Sequence, residues 1–160
     1  MSLGILAMEA LDFAIDNERQ SVRFYTDLVS RATSAEMRAL FEGLVREERG
    51  HEARLKAVLN AGKLPESGKK VLRLNLSDYI PNVPSYDNLD YAQSLVIAMK
   101  KEAAAFNLYT DLAREVDDEE LRRTFTFLAE EESRHRLRFE REYAVLTGKS
   151  SGQARGNGAN

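Results

Sequence analysis

The chain has 160 residues, a net charge of −3 and no cysteine, and its length suffices for one domain with a real core. Apolar residues make up 43% and charged residues 31%, an ordinary globular balance that argues against disorder. The acidic balance argues against nucleic acid as a partner. The absence of cysteine excludes disulfides, thiolate metal sites, iron–sulfur clusters and thiol catalysis, and fits a cytoplasmic protein.

The first element is a helix expected over 4–31. Its apolar start, Leu3 to Leu11, lacks the basic residues of a secretory signal and is interrupted by Glu9. A second helix is expected over 35–60, with Thr33 and Glu36 forming a capping-box pattern ahead of it and Gly62 as its stop. The link 61–87 carries Pro65, Pro81, Pro84, Gly62 and Gly68 and loses helical periodicity. A connection this long is expected to run the length of a helical bundle. A third helix is expected over 88–115 and a fourth over 119–146, with Asp117 and Glu120 as the capping pair of the fourth and Gly148 as its stop. The reading is therefore all-α, a four-helix bundle over 1–146 with a flexible tail over 147–160. No segment approaches the ~20 apolar residues of a membrane span.

The two halves repeat. Residues 11–59 align with 95–143 without a gap, and 15 of 49 positions are identical, where unrelated segments would share about 3. The identities include Glu18/Glu102, Tyr25/Tyr109, Glu48/Glu132 and His51/His135.

Core seams follow from the three-and-four spacing of inward positions. The first helix gives Met8, Leu11, Ile15, Glu18, Val22, Tyr25 and Val29; the second gives Met37, Phe41, Leu44, Glu48, His51, Leu55 and Val58. The third gives Ala92, Leu95, Met99, Glu102, Phe106, Tyr109 and Ala113; the fourth gives Leu121, Phe125, Leu128, Glu132, His135 and Phe139. Each seam is apolar except for one Glu on the first and third helices, a Glu-x-x-His pair on the second and fourth, and the two tyrosines.

A single Glu-x-x-His on a helix means little, since both residues are common on solvated faces. Two copies at matched inward positions, each with a Glu upstream on a partner helix, point elsewhere. Buried carboxylates without counter-charge are costly, and no Lys or Arg occupies these central seam positions. Two divalent cations would balance the four carboxylates, and the imidazoles would add neutral ligands. Residues three apart stack on one helix face, so Glu48 with His51 and Glu132 with His135 each form a candidate pair. Glu18 and Glu102 enter from the other helices, each able to bridge or chelate, and on symmetry grounds Glu102 is able to bridge both ions. Oxygen and imidazole ligands suit iron or manganese, with zinc as a substitute. Glu47 and Glu131 point about 100° away from the ligand direction and read as solvated, as do Arg46, Arg49, Arg134 and Arg136. Tyr25 and Tyr109 either fill core or donate to a ligand carboxylate on a facing helix.

Glu18, Phe24-Tyr25, Glu47-Glu48-Arg49-Gly50-His51 and Glu131-Glu132-Ser133-Arg134-His135 resemble the rubrerythrin branch of the ferritin-like di-iron carboxylate proteins. The resemblance covers about 5–146. It implies a ferritin-like fold, with Glu18, Glu48, His51, Glu102, Glu132 and His135 as ligands of two iron ions. It also implies an oxidoreductase that reduces hydrogen peroxide, and a homodimer. Two features depart from the pattern. Rubrerythrins proper carry a four-cysteine rubredoxin module, so electrons here are expected from a separate donor protein. They also carry an extra Glu one turn after the third-helix ligand, where this chain has Ala105. Three activities follow as expectations: peroxide or oxygen reduction first, a ferroxidase serving iron storage or transfer second, and a bundle held together by structural metal third.

Overall fold

A computed structural model describes residues 4–61, 71–83 and 89–148. Four long helices dominate it: α1 (Ala7–Ser30), α2 (Ala35–Asn60), α3 (Tyr91–Glu115) and α4 (Glu119–Thr147). The helix α1 packs on α2, and α3 on α4, as two hairpins joined by short turns. Among the described residues no helix is long and apolar enough to cross a membrane.

The boundaries depart from the sequence reading where local hydrogen bonding decides them. Residues Ile5–Leu6 do not begin α1 but form a strand, β1, antiparallel to β2 (Val71–Leu72) in the long link. The pairing buries Leu72 completely. Gly4 permits it, because a Cβ there would stand 2.6 Å from the Leu72 carbonyl oxygen. The N-cap of α2 is Ser34 rather than Thr33; its hydroxyl accepts from the Met37 amide. The N-cap of α4 is Asp118 rather than Asp117, accepting from Leu121. Both caps lie one residue past the expected position, and they are repeat mates. The helix α3 starts at Tyr91, not 88, because Asp90 and Gln93 close a reciprocal capping box. Gly148 ends α4 in the left-handed conformation at φ 73°, so Thr147, expected in the tail, is helical. The expectations at Gly62, Pro65, Gly68, Pro84 and from 149 onward lie outside the described residues.

The link is not wholly irregular. Besides β2 it forms a 3-10 helix, Leu76–Tyr79, capped by Asn75. The Tyr79 hydroxyl donates to Asp111 on α3 at 2.7 Å, tying the link to the second hairpin.

Two apolar cores fill the bundle. One gathers Leu11, Ile15, Leu55, Leu112, Phe125 and Leu128; the other gathers Leu28, Phe41, Leu44, Leu95 and Phe139. The repeat relation exchanges them, since Leu11 and Leu95, or Phe41 and Phe125, are mates in opposite cores. Met8, expected in the seam, is 45% exposed, and Ala7, Ala10 and Ala14 are buried instead. The two cores flank a single buried polar layer.

Candidate metal centre

That layer consists of Glu18, Glu48, His51, Glu102, Glu132 and His135, all at most 5% exposed. Each helix contributes at its midpoint, which is why the apolar cores close over the layer on both sides. The structure thus brings together all six residues singled out in the sequence.

The pairing differs from the one that helical spacing suggests. His51 Nδ1 lies 2.6 Å from Glu132 Oε1 on α4, but 3.7 Å from Glu48, its neighbour on α2. His135 Nδ1 lies 2.9 Å from Glu48 Oε1 and 3.6 Å from Glu102. The side chains fall into two overlapping groups close enough to hold a metal ion each: Glu18, Glu48, His51 and Glu132, and then Glu48, Glu102, Glu132 and His135. The carboxylates common to both groups are those of the Glu-x-x-His pairs, Glu48 and Glu132, while Glu18 and Glu102 each fall in one. The two imidazoles stack with centroids 5.5 Å apart and planes at 14°.

These contacts are close without being aligned as hydrogen bonds. Glu18 Oε2, Glu48 Oε1, Glu102 Oε2, Glu132 Oε1, both Nδ1 atoms and His135 Nε2 are buried with no aligned hydrogen-bond partner. So many orphaned buried acceptors in one place are unusual in a folded protein. Lone pairs converging on shared points are what a cation requires, and the donor set of four carboxylates and two imidazoles fits iron, manganese or zinc.

Without metal, burial and crowded charges favour the protonated forms of most of the layer. Burial, and then the Glu48 charge, pushes the Glu18 carboxyl well above its usual range; burial and then Glu102 do the same to Glu132. Burial disfavours the imidazolium form of His51, but Glu18 and Glu48 outweigh it and raise the group to about 10. His135 is likewise raised to about 12, where Glu102, Glu47 and Glu48 overcome burial. Burial raises Glu48 too, yet its contacts with the Glu18 carboxyl and both histidines hold it below the usual carboxylate range.

A second ring of residues holds the first. The Tyr109 hydroxyl donates to Glu18 Oε1 at 2.5 Å, and the Tyr25 hydroxyl donates to Glu102, each across to the other hairpin. Both tyrosines are essentially fully buried. Glu47 is not merely solvated: its Oε2 lies 2.8 Å from His135 Nε2, and that contact, first, lowers its carboxyl. Arg138 holds the same oxygen at 3.0 Å. The available signal was the doubled Glu-Glu-x-x-His, whose first Glu faces the outer imidazole nitrogen of the opposite hairpin. Glu131, the mate of Glu47, lies near both histidines and pairs with Arg134 at 2.9 Å. The ring is not symmetric, because Arg138 passes Gly43 whereas its mate Arg54 sits 4.2 Å over Phe127.

On the opposite face a cavity of about 210 Å3 opens between α1 and α3. Glu18 and Glu132 form part of its lining, and the link segment Tyr79, Ile80, Pro81 and Val83 borders it.

Four helices around one buried carboxylate–histidine layer define a ferritin-like helical bundle. A protein from Thermotoga maritima described as a ferritin-like diiron-carboxylate protein has a crystal structure that superposes with a TM-score of 0.77 at 18% identity, covering 89% of this chain and 97% of that one. The rubrerythrin family model matches residues 9–143, and the chain belongs to that family. No curated relative matches it. The 160 residues contain no cysteine and hence no four-cysteine module.

Proposed function

We propose that Glu18, Glu48, His51, Glu102, Glu132 and His135 hold two iron ions, and that the protein is a cytoplasmic, homodimeric di-iron oxidoreductase reducing hydrogen peroxide or dioxygen with electrons from a separate donor protein. The observation that supports this best is the set of buried, unaligned carboxylate and imidazole atoms converging on two adjoining points. When bound, the iron pair supplies two one-electron steps, which match the two electrons and two protons that convert one peroxide to two waters. Manganese or zinc suits the same donors, but zinc has no redox chemistry.

The chain's own residues do the positioning. Tyr25 and Tyr109 fix Glu102 and Glu18 by donating to one oxygen of each, which leaves the other oxygen for metal. Glu47 faces His135 Nε2, so that the ring can carry its proton there and keep Nδ1 free. The apolar cores on either side shield the layer along the bundle, and the α1–α3 cavity leaves it a lateral opening.

A second reading, a ferroxidase that passes iron on, draws support from a third group. His51, Glu131 and His135 lie close enough to share an ion, and Glu131 is only half-buried. That group uses the same imidazoles, so it would fill in alternation with the inner pair, as a transfer site must. A third reading, in which the metal only stabilises the bundle, predicts full metal binding with no reactivity.

Anaerobic loading with Fe(II), then rapid mixing with peroxide and separately with oxygen, tests all three. Catalytic peroxide loss with an added reductant supports the first reading. Iron accumulating well beyond two per chain supports the second, and tight binding with neither oxidation nor turnover supports the third. No metal retained after reconstitution would refute the six-residue site.

A further inference from the structure

We propose that the cavity between α1 and α3 is an anion-selective port to the metal centre, with Lys101 as its cationic gate, delivering small monovalent anions and hydrogen-bonding solutes of similar size to the Glu18–His51 half of the layer. The proposal rests on the metal-centre reading above and adds to it the route, its charge and the half of the centre that it reaches.

Three observations carry it. The lining of the cavity includes carboxylates of the layer, namely Glu18 and Glu132. Glu132 belongs to both groups, but Glu18 belongs to the Glu18–His51 group alone and its mate Glu102 does not line the cavity, so the two candidate metal positions differ in access although their side chains repeat. Its α3 wall includes the small residues Ala104 and Ala105, facing their larger repeat mates Gln20 and Ser21 on α1. At about 210 Å3 the space accommodates several waters, at roughly 30 Å3 each, but not a bulky organic reductant.

Lys101 sets the sign. It lines the cavity, is partly buried, and sits with Nζ 5.5 Å from the Phe24 ring centroid. Its repeat mate is Asn17, so the charge is a departure from the symmetry of the layer rather than part of it. A cation in a narrow, partly desolvated passage concentrates anions and repels divalent metal. The walls contributed by Asn17, Gln20 and Ser21 are polar, which favours hydrogen-bonding solutes over an apolar gas. Iron itself is then expected to load by another face, and the half-exposed Glu47 and Glu131 on the α2–α4 side offer the opposite charge.

Two measurements test the port. In the first, oxidised, iron-loaded protein is mixed with azide and the rate of its ligand-to-metal charge-transfer band is followed. Lys101→Gln is expected to slow azide binding about tenfold and flatten its dependence on ionic strength, Lys101→Arg is expected to retain both, and Ala105→Leu is expected to slow it at every salt concentration. Iron content should stay at the wild-type value in all three. In the second, crystals of wild-type protein, with or without metal, are soaked in bromide. An anomalous peak in the cavity beside Lys101, absent in Lys101→Gln, is expected. Unchanged azide rates in variants of normal iron content, or no bromide peak in the wild type, would overturn the port. Because the bromide arm needs no metal, failure of the di-iron reading and failure of the port are separately visible.

Discussion

In the proposed metal centre, metal and protons would compete for the same atoms. In the metal-free centre the surroundings favour the protonated forms of His51, His135, Glu18 and Glu132. Binding two divalent ions must displace those protons, so up to four protons should leave per chain and affinity should rise with pH. Titration calorimetry in buffers of different ionisation enthalpy counts them; release of none would contradict this protonation pattern. Folding stability of the metal-free form follows the same groups. The two imidazoles are raised, so their contribution is complete below the ordinary value of 6.5 and is lost as pH rises through about 10 and about 12. The raised carboxyls act in the same direction, their cost appearing as pH climbs above 4.5. The apoprotein melting midpoint should therefore fall from mildly acidic to alkaline pH, and the metal-loaded midpoint should change less. The overlap of the two groups predicts a hierarchy among carboxylates. Glu48→Ala removes a residue common to both and should leave near-zero metal after dialysis, whereas Glu102→Ala should retain about one ion per chain, the expectation for a group serving one position. Equal losses would mean that the carboxylates are not shared in this way. Outside the layer, Glu47→Ala should weaken metal binding by about 10–100-fold through loss of the His135 orienting contact, which competition with a chelating dye would measure.

Helix boundaries depend on single side chains. Ser34→Ala should cost about 1 kcal/mol of stability, because the hydroxyl satisfies the Met37 amide that no helical carbonyl reaches. Thr33→Ala, at an exposed position outside the cap, should stay within about 0.5 kcal/mol. Denaturant midpoints of the pair decide between the two candidate caps. Thr33-x-x-Glu36 fits the sequence pattern of a capping box, but Ser34 one residue on is an equally good acceptor, and the register of the turn chose between them. The same ambiguity, Asp117 against Asp118, was resolved the same way in the other hairpin. The strand β1 was not legible because two apolar residues next to a helix carry no period of their own. Only the arrival of Val71 and Leu72 from the link makes them a ribbon.

For the molecule as a whole, the buried polar layer is both the likeness between the halves and the boundary between two apolar cores. Filling it with metal should stabilise the fold by mass action, about 4 kcal/mol at a thousandfold excess over Kd. For a domain of this size that corresponds to a rise of roughly 10 °C in melting midpoint, reversed by a chelator. A midpoint indifferent to EDTA would mean that the layer folds equally well on protons alone. The sequence by itself determined four helices, two related hairpins and six inward polar residues, because seam periodicity and the 84-residue offset between mates are properties of single helices and of the repeat. Tertiary structure alone decided which carboxylate meets which imidazole, since Glu132 reaches His51 across the bundle while Glu48 beside it does not. It also decided that Glu47 serves His135, that the tyrosines reach across hairpins to Glu18 and Glu102, and that one half of the layer opens onto a cavity. Each of these is a distance between different helices, and helical spacing fixes where a side chain points but not what it meets.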